Sequence, residues 1–169
     1  MAEIVKTVKV VKVEYLYLDL KSCDRCIGTD NVLDDVMIVL TPAFKIAGYE
    51  VVYNKVEMIN EELASEYRFV SSPTIRVNGQ DICKSVAENN CGCCSDISGA
   101  DVACRVFEYE GEKYEVPPKK MIASSILQAV FGHSGKEDIG EQFDLPANLK
   151  GFYKGKRSKS ECSCGDKCC

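Results

Sequence analysis

Valines alternate with lysines and other residues from Val8 to Leu20, and one side of this run is wholly apolar, a pattern that predicts a strand suited to the centre of a sheet. The period then changes. Leu33, Val36, Met37, Leu40, Phe44 and Ala47 recur at helical spacing, which predicts an amphipathic helix over about residues 30–47, capped by Thr29 or Asp30 and ended by Gly48. Pro42 lies inside that pattern and is expected to kink or break it. A second strand is expected over 49–56 and a short helix over 61–69. The order strand, helix, strand, helix implies parallel strands joined by a right-handed crossover, hence an α/β fold.

Residues 74–77, the Asn78-Gly79 turn and residues 80–83 read as a strand entering a hairpin. A polar stretch containing Gly and Cys, 84–103, interrupts it before alternation resumes from Cys104 around Gly111. Pro117 and Pro118 introduce a helix carrying Met121, Ile122, Ile126, Leu127, Val130 and Phe131. Residues 133–169 have few core-forming side chains and no periodicity, and are expected to be a flexible tail.

Composition narrows the function. The 169 residues are 46% apolar with a net charge of −5, and residues 150–169 alone carry +4, so the remainder is acidic. That distribution provides no broad basic face for nucleic acid. Lysines at 6, 9 and 12 interrupt the apolar run that a signal peptide requires, and no stretch reaches the roughly 20 apolar residues of a membrane span. The expected setting is the cytoplasm, without membrane or nucleic-acid partners.

Eleven cysteines are many for that compartment, where thiols stay reduced and structural disulfides are rare. They are also clustered. Cys23 and Cys26 form a C-x-x-C at the exit of the first strand, and Ser72-Pro73-Thr74 lies 47 residues further on, before another strand. A following helix and Arg25 are expected to draw down the pKa of Cys23. These two cysteines are also half of a structural zinc site, but such sites need two further Cys or His at similar spacing, and the single histidine, His133, lies in the expected tail.

Cys91-Gly92-Cys93-Cys94 places three thiols on a Gly-containing loop, bracketed by Cys83 and Cys104. Thiols so close in sequence do not pair readily into unstrained disulfides, whereas they converge easily on one soft ion: Cu(I), Zn(II), As(III) or Hg(II). Cys83 and Cys104 are placed to complete such a site, and a role as small packed apolar residues suits them better than it suits the triplet. The terminal Cys162, Cys164, Cys168 and Cys169 form a further thiol-rich segment able to hold such an ion or pass it on. The lysines at 119–120 and 154–159 read as solvated charge, and no phosphate-binding loop is present.

The strand, C-x-x-C and later Ser72-Pro73-Thr74 together resemble a thioredoxin-like domain over roughly residues 8–132, placed as a domain at 1–132 with a Cys-bearing insertion at 84–103 and a Cys-rich tail at 133–169. The resemblance implies Cys23 as nucleophile, Cys26 as resolving thiol, and Pro73, after a cis bond, shaping a substrate groove. It also links the chain to C-x-x-C relatives associated with arsenic and heavy-metal resistance. No tryptophan precedes Cys23 and no proline separates the pair, so the chain departs from thioredoxin and glutaredoxin themselves. The terminal cysteines resemble those of metallothioneins and the mobile C-terminal pairs of mercuric reductases and arsenic metallochaperones.

Two functions are therefore expected. One is a thiol-disulfide oxidoreductase in which Cys23 attacks and Cys26 resolves, served by a redox partner protein or a small thiol. The other is a binding protein or chaperone for a soft metal or metalloid, with Cys91, Cys93, Cys94 and the four terminal cysteines as ligands.

Overall fold

A computed structural model describes residues 7–83, 86–132, 140 and 142–161. Its central strand, β1 (Lys9–Tyr17), leads into α1 (Asp24–Ile46), which returns the chain to β2 (Tyr49–Glu57). β2 runs parallel to β1, from Lys9 opposite Tyr49 to Tyr17 opposite Glu57, as a crossover demands. After α2 (Glu61–Glu66), β3 (Thr74–Val77) pairs antiparallel with the other edge of β1 and turns at Asn78-Gly79 into the two-residue β4 (Gln80–Asp81). Asn78 and Gly79 both have positive φ, 52° and 83°, the backbone that a tight hairpin turn requires. The resulting mixed sheet has the order β2-β1-β3-β4.

The stretch expected to interrupt the fold is itself structured. It contains β5 (Ala87–Asn90) and α3 (Gly92–Ser98), and β5 pairs with β6 (Ala103–Tyr109), which turns back into β7 (Glu112–Tyr114). α4 (Lys119–Phe131) then starts after Pro118, as the proline pair predicts.

Two apolar cores result. Val11, Val13 and Tyr15 of β1 meet Leu33, Met37 and Phe44 of α1 and Ile122 and Ile126 of α4 in the first. Leu16 and Leu18, with the opposite parity at the end of β1, enter the second together with Met58, Phe69, Val102 and the cysteines described below. This second core is closed by a helix that the sequence pattern does not reveal.

That helix, α5 (Ala147–Glu161), corrects the expectation of a flexible tail over these residues. Its apolar content is low, but Leu149, Phe152 and Tyr153 fall on one face and are all buried. Asn148 joins it to β6 through both its side-chain amide bonds, 2.9 Å from the Ala103 N–H and 2.7 Å from its carbonyl. Tyr153 donates to the Met58 carbonyl at 2.6 Å. Tertiary packing stabilises this helix, since two internal glycines and a lysine-rich exposed face give it little intrinsic propensity. Of the rest of the expected tail, residues 140 and 142–146 are described and Leu145 is buried in the second core, whereas 133–139, 141 and 162–169, with His133 and Cys162, Cys164, Cys168 and Cys169, lie outside the described residues.

α5 approaches α3 so closely that a Cβ at Gly155 would overlap the Ser98 carbonyl. Gly155→Ala is therefore expected to destabilise the fold by about 1–3 kcal/mol, the usual cost of forcing extra volume into a packed contact. Urea unfolding measures this, and a midpoint equal to that of the parent would show that α5 does not need the close approach.

α1 also departs from expectation. It starts at Asp24, six residues early, and runs through Pro42 without a break. The carbonyl that Pro42 leaves without its helical partner belongs to Ile38, a residue 72% exposed, so water can take the missing donor's place. The early start makes Cys23 the residue that caps the helix.

Candidate metal centre

The turn that delivers Cys23 is organised by Asp19. Its Oδ2 accepts from the backbone N–H groups of Lys21, Ser22 and Cys23 and from the Ser22 hydroxyl, at 2.6–3.1 Å. Partial burial opposes the charge on Asp19, but these donors prevail and hold its carboxyl below the usual range. Cys26 follows one turn into α1, where its Sγ lies 3.4 Å from the Ser72 hydroxyl. Ser72 precedes Pro73 through a cis peptide bond, and its oxygen accepts from the Leu18 N–H at 3.2 Å.

α3 repeats the arrangement. Cys91 caps it as Cys23 caps α1, and Cys94 follows three residues later on the same face. The Cys91 N–H donates to the Val102 carbonyl at 2.8 Å, and the Ser98 hydroxyl donates to the Cys94 carbonyl at 3.0 Å, fixing both ends of the turn. Two C-x-x-C turns, each at the start of a helix, thus face one another.

Their sulfurs meet. The Sγ atoms of Cys23, Cys91 and Cys94 all lie within 4.8 Å of one another and are buried. Cys94 is 3.8 Å from Cys23, and Cys104 of β6 reaches Cys94 from the other side at 3.4 Å. Cys23, Cys26, Cys94 and Cys104 have no exposed surface, and Cys91 is 3% exposed. Cys93 does not join them. It lies off that face of α3 and its Sγ lies 4.0 Å from Asp24 Oδ2. Cys83 sits apart beside Asp81, where burial pushes its pKa up to about 12.

This arrangement sorts the sequence candidates. Of the triplet, the structure brings Cys91 and Cys94 to Cys23 and leaves Cys93 aside. Cys104, which also reads as a packed apolar residue, stands against the cluster. Cys91 and Cys94 repeat the spacing of Cys23 and Cys26, a signal that Cys93 between them obscures. Arg25 also departs from its expected role. It is buried, but turns away from Cys23 to donate to the carbonyls of Cys104 and Arg105 and to pair with Glu115 at 2.8 Å.

The thiols also perturb one another. The neighbouring Cys104, Cys23 and Cys94 thiols lower the pKa of Cys91, against the effect of burial. Hydrogen bonding to neighbouring thiols, reinforced by burial, holds the protons on Cys94, Cys23 and Cys104. Cys26 is lowered to about 7, chiefly by its hydrogen bond with Cys23 and against the effect of burial. Thiolates packed this closely repel one another, and a cation among them removes the penalty.

A family model, the domain of unknown function DUF2703, matches residues 11–126. The chain belongs to this family. The matched span of the DUF2703 chain includes all five clustered cysteines and stops short of α5. No match was found among curated proteins, and none among solved structures. Among the described residues of this DUF2703 protein, no helix is long and apolar enough to cross a membrane.

The lowered pKa of Cys26 has a pH signature in the ion-free protein. A thiol lowered from 9.0 to about 7 adds stability that is complete above pH 9 and is lost as the pH falls through about 7. Stability is thus expected to rise more steeply between pH 7 and 9 in the parent than in Cys26→Ser. Urea unfolding across this range tests it, and parallel profiles would show that Cys26 has no such shift.

Proposed function

We propose that the protein is a thioredoxin-like scaffold that binds a soft metal or metalloid ion between Cys23, Cys91 and Cys94, with Cys26 and Cys104 as adjoining thiols. The observation that carries this reading is the convergence of three buried sulfurs within 4.8 Å of one another. Thiolates select thiophilic ions over hard cations, and a buried set prevents hydrolysis and exchange with water. The sheet order β2-β1-β3-β4, the C-x-x-C at the start of α1 and the adjacent Ser72-Pro73 support the thioredoxin-like frame.

The same burial weighs against disulfide exchange as the primary activity. An attacking thiolate must reach its substrate, and Cys23 has no exposed surface. The seven described cysteines are unpaired, the state that a reducing cytoplasm maintains, and this is the compartment in which we place the protein.

Native mass spectrometry of the full chain, purified without oxygen and titrated with soft ions, tests the proposal together with thermal unfolding. One ion held at the cluster, with a melting temperature that rises on binding in the parent and not in Cys23→Ser, is the expected result. Absence of any such ion, combined with disulfide-exchange turnover that Cys23→Ser abolishes, would replace the proposal with the oxidoreductase.

A further inference from the structure

We infer that the ion suited to this site is trivalent: a metalloid of the As(III) or Sb(III) class, held by the thiolates of Cys23, Cys91 and Cys94 as a neutral, three-coordinate complex. This rests on the binding function proposed above and specifies its ligand. Two features of the cluster carry it, the number of convergent sulfurs and the charge that their surroundings can hold.

Coordination number comes first. A tetrahedral Zn(II) about 2.3 Å from each sulfur needs four ligands whose sulfurs all lie about 3.8 Å apart. Here three sulfurs are mutually close, and among the described residues no fourth Cys, His, Asp or Glu lies within 4.8 Å of all three. Nor is a water well placed to complete the shell, since Cys23 and Cys94 are fully buried in a core that also contains Leu18, Phe69, Val102, Leu149 and Phe152. A three-coordinate ion needs no fourth ligand.

Charge then separates the three-coordinate ions. Three thiolates carry −3, so Cu(I) leaves −2, Hg(II) leaves −1 and a trivalent ion leaves none. Uncompensated charge is costly in an apolar interior. Of the cations nearest in sequence, Lys21 is exposed, Arg25 pairs with Glu115 and bonds the carbonyls of Cys104 and Arg105, and Arg105 pairs with Asp81. The starts of α1 and α3 offer partial positive charge, about half a unit for a long helix and less for one of seven residues, which falls short of the −2 left by Cu(I). In the neutral complex Cys104 remains a thiol donating to Cys94, and Cys26 stays outside the shell against Ser72.

The exchange balances without any redox step. The ion arrives as its neutral trihydroxide, three bonds from the ion to oxygen break, three bonds to sulfur form, and each hydroxide leaves as water, taking its proton from a thiol or, where the sulfur is already a thiolate, from solvent. Binding of Zn(II) to the same three sulfurs instead releases their protons to solution. Whatever the protonation state of the cluster beforehand, trihydroxide binding must release three fewer protons per ion than Zn(II) binding.

The experiment uses the full chain carrying Cys162→Ser, Cys164→Ser, Cys168→Ser and Cys169→Ser, kept anaerobic and stripped with a chelator. It is titrated with arsenite, antimonite, Zn(II) and Cu(I) in competition, with calorimetry in buffers of different ionisation enthalpy to count protons. The expected result is one As(III) or Sb(III) per chain, bound about 100-fold more tightly than Zn(II) or Cu(I), with the three-proton difference and X-ray absorption showing only sulfur neighbours. Binding should survive Cys93→Ser and be lost in Cys23→Ser, with circular dichroism confirming that both are folded. If either variant is unfolded, the sulfur-only shell and the proton count in the parent decide. Tighter binding of Zn(II) or Cu(I) at the cluster overturns the trivalent assignment and leaves the binding function standing, whereas binding of none of these ions overturns both.

Discussion

Cys94→Ser is expected to abolish ion binding at the cluster, with an affinity loss of at least about 100-fold, the upper end of what loss of a mere supporting partner costs a metal site. Cys94 is the hub of the five thiols: its sulfur lies 3.8 Å from Cys23 and 3.4 Å from Cys104, and it belongs to the triad within 4.8 Å. A serine there is nearly the same size, so the packing survives, but its hydroxyl is a hard, weakly acidic ligand that soft ions reject. Cys93→Ser, one residue away, is the matched control and should bind as the parent does, because Cys93 is directed towards Asp24. Direct titration of the two variants decides the matter. Equal losses would mean that the triplet acts as an undifferentiated thiol cluster, and no loss at Cys94 would remove the site from this position.

Asp81→Asn is expected to lower the melting temperature by roughly 5–10 °C, corresponding to about 2–3 kcal/mol in a domain of this size. Arg105 is fully buried and pairs with Asp81 at 2.7 Å, while its Nε and Nη2 have no hydrogen-bond partner among the described residues. Removing the carboxylate leaves a buried guanidinium without its counter-charge, an effect stronger than that of a surface ion pair. The estimate sits below the usual range for a fully buried pair because Asp81 is 24% exposed. The consequence reaches the site, because the Arg105 N–H donates to the Ser72 carbonyl at 2.7 Å and Cys104 is its neighbour on β6. Adding Arg105→Met to Asp81→Asn should restore much of the loss by removing the stranded charge. Differential scanning calorimetry reads both variants, and an unchanged transition in Asp81→Asn would show that the pair contributes nothing to stability.

Much of the central sheet was legible in advance because its signals are local. The apolar stripe Leu33, Val36, Met37, Leu40 and Phe44 is buried in α1, and the Asn78-Gly79 turn does join β3 to β4. The start of α1 was misplaced because its first turn reads as polar: Asp24, Arg25 and Thr29 conceal a helix whose cap is Cys23. α5 was missed for a related reason, since Leu149, Phe152 and Tyr153 are too few among lysines and glycines to establish a period. In the site, the sequence marks 23–26 as a candidate redox pair and 91–94 reads as a triplet because Cys93 fills the gap; the structure brings Cys23, without Cys26 or Cys93, together with Cys91 and Cys94.

The chain by itself determined the β-α-β order, the core-facing side of α1 and the presence of paired thiols, since these follow from periods of 2 and 3.6 residues and from short fixed spacings. Only the tertiary structure decided which thiols lie together. Cys23 and Cys94 are 71 residues apart, and they meet because α3 packs on β6 and α5 while Arg25 of α1 bonds the carbonyls of Cys104 and Arg105 on β6. A local pattern records which way a side chain points relative to its own backbone; the distance between two sulfurs on different elements depends on how all the intervening elements pack.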